Sequence, residues 1–274
     1  MNTITKWTRN HSLFAYFILA YFFSWIIAIP LALQAQGIIQ AQIPLSLHYL
    51  IAYGPMLAAL MVTGLTSGTP GLQKLWSRMT KWRIKPGWWL VAVSPLGIYL
   101  LAGTALWALQ GQKMNLATMG QIDYLPPLGL AAIPLWILTF GIGEETGWRG
   151  FALPRLQKGR SALSATLWLW IFWALWHLPL FFYTYDPAII PGMLIGLLAG
   201  AITFTWLYNS TDGSILMVAI WHGLFNYTTA CSSCKTGMVP AIISTLVMVW
   251  AVAIVLFYRS RAFPRTIPHG LKQF

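Results

Sequence analysis

The sequence predicts an all-α, polytopic integral membrane protein with about eight transmembrane helices, and three observations predict it. Charged residues make up 8% of the chain against 58% apolar ones, too little charge to cover a water-soluble domain of 274 residues. The apolar residues fall into repeated runs of about twenty, the length that crosses roughly 30 Å of hydrocarbon. Lysine and arginine lie between those runs and form no single docking face. The net charge of +12 is therefore a topology signal, and no nucleic-acid partner is expected.

Taken in order, the first span covers 13–33 and follows Lys6 and Arg9. Its length and the lack of a small-residue cleavage site after it make it an anchor. Spans at 47–66 and 88–108 flank a segment in which Lys74, Arg78, Lys81, Arg83 and Lys85 are interleaved with Trp76 and Trp82. Such a segment suits the surface of an anionic bilayer. The fourth span, 127–157, is too long: one continuous helix would reach about 46 Å, so it must tilt or project. Spans at 161–182, 190–208, 214–230 and 238–258 complete the set. In the sixth, Gly192, Gly196 and Gly200 form a stripe expected to admit a neighbouring helix closely. The chain divides into N-terminal helices with their basic loop (1–124), a helical core (125–230), and a last helix with a basic tail (231–274).

Fourteen of the seventeen basic residues fall on one side of this arrangement, with Lys113 and Lys235 opposite and Arg149 inside a span. That bias places both termini in the cytoplasm and favours an even number of spans. The short loops suit the plasma membrane of a bacterium, its inner membrane.

Five residues are acidic. Asp123, Asp186 and Asp212 fall in loops, whereas Glu144 and Glu145 lie inside the fourth span, where an ionisable group costs at least a few kcal/mol unless it meets a partner or a cavity. Arg149, four residues after Glu145, gives that carboxylate an ion pair on the same helix face; Glu144 has no such local partner. His177 and His222 also lie within spans, and Asn226 shares a face with His222. His11, His48 and His269 sit at span ends or in the tail, where no special role is expected. Positions 144 and 177 are equidistant from the turn at 158–161, so an antiparallel pair brings them level. A buried carboxylate beside a histidine activates water, and a second histidine with an asparagine stabilises an oxyanion. Thr146, Thr228 and Thr229 offer no persuasive nucleophile, so a covalent route is not expected.

The run E-E-T-G-W-R at 144–149 resembles the E-E-x-x-x-R motif of the CPBP family, the CAAX prenyl protease or Abi type of intramembrane endopeptidase. H-G-L-F-N at 222–226 resembles its H-x-x-x-N motif, and W-A-L-W-H at 173–177 its F-x-x-x-H motif with tryptophan for phenylalanine. The resemblance covers about 125–230. It implies that Glu144 and His177 activate the attacking water, that His222 and Asn226 hold the oxyanion, and that Glu145, Arg149 and Trp173 support them. The expected substrate is a protein or peptide in or at the bilayer. Members are commonly labelled metalloproteases, so zinc held by Glu144, His177 and His222 stays open beside a metal-free route, which is preferred. A transporter with a polar relay and a non-catalytic immunity or scaffold protein are the alternatives. Cys231 and Cys234 form a lone C-x-x-C with no chemistry assigned.

Overall fold

The structure, a computed structural model, describes residues 3–111, 120, 128–230 and 238–257. Asp123, His269, Cys231, Cys234, Lys113 and Lys235 lie outside the described residues. Among the described residues the chain is helical with no strand. The helices are α1 (Thr3–Asn10), α2 (Ser12–Ala35), the single turn α3 (His48–Ile51), α4 (Gly54–Met79), α5 (Pro86–Gln110), an interrupted α6 (residues 129–156), α7 (Ala162–Trp176), α8 (Ile190–Ser210), α9 (Ile215–Thr229) and α10 (Met238–Phe257).

Five helical stretches, those holding α2, α4, α5, α8 and α10, are long and apolar enough to cross a bilayer, which makes the chain a multi-pass membrane protein. The other expected spans are α6, α7 and α9. The last two have 15 residues each, about 23 Å of helix, short of the hydrocarbon thickness. α7 stops at Trp176 for a local reason. Leu178 precedes Pro179, whose ring disfavours helical backbone at the preceding residue and supplies no N–H. Serines cap the starts of both: Ser161 accepts from Ser164 N and Ser214 from Met217 N, satisfying amides the first turn leaves open.

α4 is broken at Gly68, whose φ of 61° and ψ of −157° only glycine adopts readily. The first arm matches the second expected span, and the second arm, with exposed Trp76, leads into the basic segment. That segment meets the turn after α8: Arg78 donates to Tyr208 Oη at 2.9 Å, Lys81 pairs with Asp212 at 3.0 Å, and Ser214 Oγ donates to Lys81 O at 2.8 Å. Nearby, Gln157 and Asn209 exchange two side-chain hydrogen bonds. The turns that carry these basic residues thus gather at one end of the bundle.

The long fourth span is not one continuous α-helix. Wider π turns occupy Ile137–Glu144 and Trp148–Ala152, the kind of irregularity often found where a helix carries function. Its glycines let other backbones touch it. A methyl group on Gly141 would fall on the carbonyl of Ala219, and one on Gly223 would fall on Ile137. α6 and α9 therefore pack main chain to main chain. Gly141→Ala is expected to force these helices apart and cost about 1–3 kcal/mol, read as a lower melting temperature in detergent. An unchanged melt would contradict the close contact.

The stripe expected to serve that purpose does not. On α8, methyl groups at Gly192 and Gly196 would meet nothing within 4 Å, and one at Gly200 would meet only the ring of Trp173, at 3.9 Å. The small residues are spaced as expected, but among the described residues no helix lies close against this face; it borders a cavity.

Candidate active site

Three helices bring the intramembrane polar residues together. Glu144, Glu145 and Arg149 come from α6, Trp173 from α7 with His177 directly after it, and His222 and Asn226 from α9. Glu144, Trp173, His177, His222 and Asn226 line one cavity of ≈ 820 Å³. Glu145 and Arg149 are fully buried and do not line it.

The ion pair is made as spaced: Arg149 Nη1 donates to Glu145 Oε1 at 2.9 Å, with neither side chain exposed. The same oxygen accepts from His222 Nδ1 at 2.8 Å. The guanidinium carbon packs on two neighbouring aromatic rings, 4.6 Å from the Trp173 ring centre and 4.7 Å from that of Phe204. Facing rings offset part of a buried cation's lost hydration.

Glu144, without a partner on its own helix, finds one on α7: Trp173 Nε1–H donates to its Oε2 at 2.8 Å. The indole is the hub of the site. Its ring centre lies 5.6 Å from that of His177 and 5.8 Å from that of His222. Sequence reasoning placed Trp173 at the pocket but missed this bond, since nothing in the spacing of 144 and 173 reports it.

Both histidine tautomers follow from their partners. His177 Nδ1 lies 2.7 Å from the carbonyl of Trp173, which only accepts, so Nδ1 carries the proton and Nε2 is left with a lone pair. His222 Nδ1 donates to a carboxylate that Arg149 also reaches, which again leaves Nε2 as the free ring atom. Histidines oriented in this way are suited to holding a metal. The spacing is not: among the described residues no three His, Cys, Asp or Glu side chains gather closely enough to hold one. Glu144, His177 and His222 share a cavity without forming a ligand set.

Two residues at the site were not anticipated. His48, expected to be idle at a span end, lines the cavity, and its Nδ1 lies 2.8 Å from Tyr183 Oη. Tyr185, from the loop after α7, lines it too, and burial pushes its hydroxyl up to about 12. His48 opens the one-turn α3 at the edge of an expected span and Tyr185 comes from a loop, positions where apolar periodicity carries little information. Thr146 is buried, and Thr228 and Thr229 spend their hydroxyls on the carbonyl of Phe225.

Away from the polar end, the cavity runs between α8 and α10. Gly192, Gly196 and Gly200 form one wall, and Ala241, Ser244 and Met248 belong to the other. The glycine wall passes from exposed at Gly192 to buried at Gly200, beside Trp173. Ile195 and Val249, on the same two helices, are exposed. Both helices are long and apolar enough to span a membrane, so the groove is framed by two segments suited to hydrocarbon.

Comparison with known proteins agrees with the motifs. Residues 126–228 match the family described as type II CAAX prenyl endopeptidase Rce1-like. A CAAX prenyl protease 2 from Methanococcus maripaludis is 32% identical over 150 residues, which cover 52% of this chain and 52% of that protein. The chain thus spans about half the length of the curated relative it matches. Over 126–228, the resemblance carried by the three motifs is a family match.

Proposed function

We propose that this chain is an intramembrane endopeptidase that hydrolyses a peptide bond with water activated by Glu144 and His177. The observation that carries the reading is the single cavity lined by Glu144, His177, His222 and Asn226 from separate helices. Water bridges Glu144 Oε1, the oxygen Trp173 leaves free, and the His177 Nε2 lone pair. Glu144 takes its proton as the oxygen adds to the peptide carbonyl. Asn226 Nδ2–H and His222 Nε2–H donate to the oxyanion. For His222 to donate there both ring nitrogens must carry a proton, and the Glu145 carboxylate at Nδ1 is the counter-charge within reach. Collapse of the intermediate breaks the C–N bond, and Glu144 returns its proton to the leaving amine. Glu145 and Arg149 hold this frame in place.

The substrate is a membrane-associated protein or peptide whose portion beside the scissile bond is apolar. An extended peptide in the α8–α10 groove would leave backbone groups unpaired at several kcal/mol each, whereas an attached hydrocarbon chain has none to lose. A prenyl-type substituent, as the relative's name suggests, fits that condition. Gly196→Leu is expected to preserve the melting temperature, because its side chain enters open groove, and to lower cleavage of hydrocarbon-bearing peptides at least about 10-fold. Equal cleavage would remove the groove from the account. The one-sided distribution of lysine and arginine supports a plasma-membrane enzyme with both termini cytoplasmic.

Purified protein incubated with membrane-associated peptides is expected to release fragments ending at one bond, and chelation of divalent metal is expected to leave the rate unchanged. Stoichiometric zinc whose removal abolishes cleavage would overturn the metal-free route. Solute flux into vesicles with no cleavage would favour a carrier.

A further inference from the structure

The related motif has phenylalanine where this chain has Trp173, and the difference is a single polar group inside the site. We propose that Trp173 is a positioning residue that sets both members of the water-activating pair. Its side chain holds Glu144 and its main chain holds His177. The inference rests on the roles given above to those two residues.

The side-chain half is the 2.8 Å bond from the indole N–H to Glu144 Oε2. A buried indole N–H requires an acceptor, and a carboxylate is the strongest kind. A phenylalanine ring at this position would pack similarly and leave both carboxylate oxygens free to turn. With tryptophan, Oε2 is occupied and Oε1 is the oxygen that meets water. The ring is itself held from behind by Arg149, 4.6 Å from its centre. The indole therefore lies between the buried Arg149 guanidinium and the Glu144 carboxylate, in contact with both.

The main-chain half follows from how α7 ends. His177 N bonds to the carbonyl of Ala174, three residues back, at 3.1 Å. A regular turn would spend the Trp173 carbonyl on that amide. Released from it, the carbonyl accepts from His177 Nδ1 at 2.7 Å and fixes the tautomer that offers Nε2 to water. Any residue here would offer the carbonyl, whereas the indole bond to Glu144 is particular to tryptophan.

The chain contains only two glutamates, Glu144 and Glu145, so full-length protein labelled with ¹³C at the glutamate side-chain carboxyl gives two signals. Glu144→Gln assigns them by loss of one. Trp173→Phe is expected to move the Glu144 signal, leave that of Glu145 in place, and lower kcat roughly 10- to 100-fold with KM and melting temperature unchanged. Replacing Trp173 by benzothienylalanine, which keeps the shape and puts sulfur where the N–H was, should reproduce both effects if Trp173→Phe folds poorly. An unmoved Glu144 signal would overturn the proposal whether or not the protein cleaves anything. A moved signal with unchanged kcat, or with the loss confined to KM, would overturn the positioning role and leave only a contact. A moved signal in a parent that cleaves none of the peptides offered would sink the functional reading and, with it, the role in catalysis.

Discussion

Glu144→Ala is expected to lower the cleavage rate at least about 100-fold, the scale on which a general base contributes, with the helices and melting temperature preserved. The fold should survive because Glu144 faces a cavity and its one described bond, to Trp173 Nε1, is not part of the apolar packing. Loss of the carboxylate removes both the proton acceptor and one of the two groups proposed to hold water. A variant as active as the parent would reject the catalytic assignment outright. A variant that fails to fold would instead show that Glu144 is part of the frame. Circular dichroism and thermal melting of the same sample separate these results.

Arg149→Ala is expected to have the largest effect on stability, about 3–5 kcal/mol. Glu145 would stay buried with its charge no longer balanced by the guanidinium. The facing rings of Trp173 and Phe204, 4.6 and 4.7 Å from the guanidinium carbon, would border a void. Arg149→Lys should recover only part of the loss, since an ammonium does not stack as a plane. Replacing both partners, Glu145→Leu with Arg149→Met, should restore much of the melting temperature but not activity, because His222 Nδ1 loses its acceptor at 2.8 Å. If Arg149→Ala melts like the parent, the buried pair is not what secures α6.

Much of this arrangement was legible in the sequence because a bilayer makes polar residues expensive. Glu144, His177, His222 and Asn226 stood out against apolar runs, and they do line one cavity. Glu145 and Arg149 were readable from four-residue spacing, since that geometry belongs to a single helix. What lay beyond one helix was less legible. The bond from Trp173 to Glu144 depends on how α6 and α7 rotate about their axes, and His48 and Tyr185 reach the site from the single turn α3 and from the loop after α7. The glycine stripe on α8 misled for the same reason: spacing identifies a smooth face but not what lies against it. Close packing is instead carried by Gly141 and Gly223, which show no comparable stripe. The over-long fourth span was recognised from length alone, while its π turns, which depend on the hydrogen-bond ladder, were not.

The account stands on Glu144 and His177 acting together on one water in one chamber, and a double-mutant cycle on the single-turnover cleavage rate tests this most directly. Groups that act as a unit lose their joint contribution when either is removed. Glu144→Ala, His177→Ala and the double variant should therefore fall to nearly the same residual rate. Losses that multiply in the double variant would mean that the two side chains work independently, and would contradict the shared site.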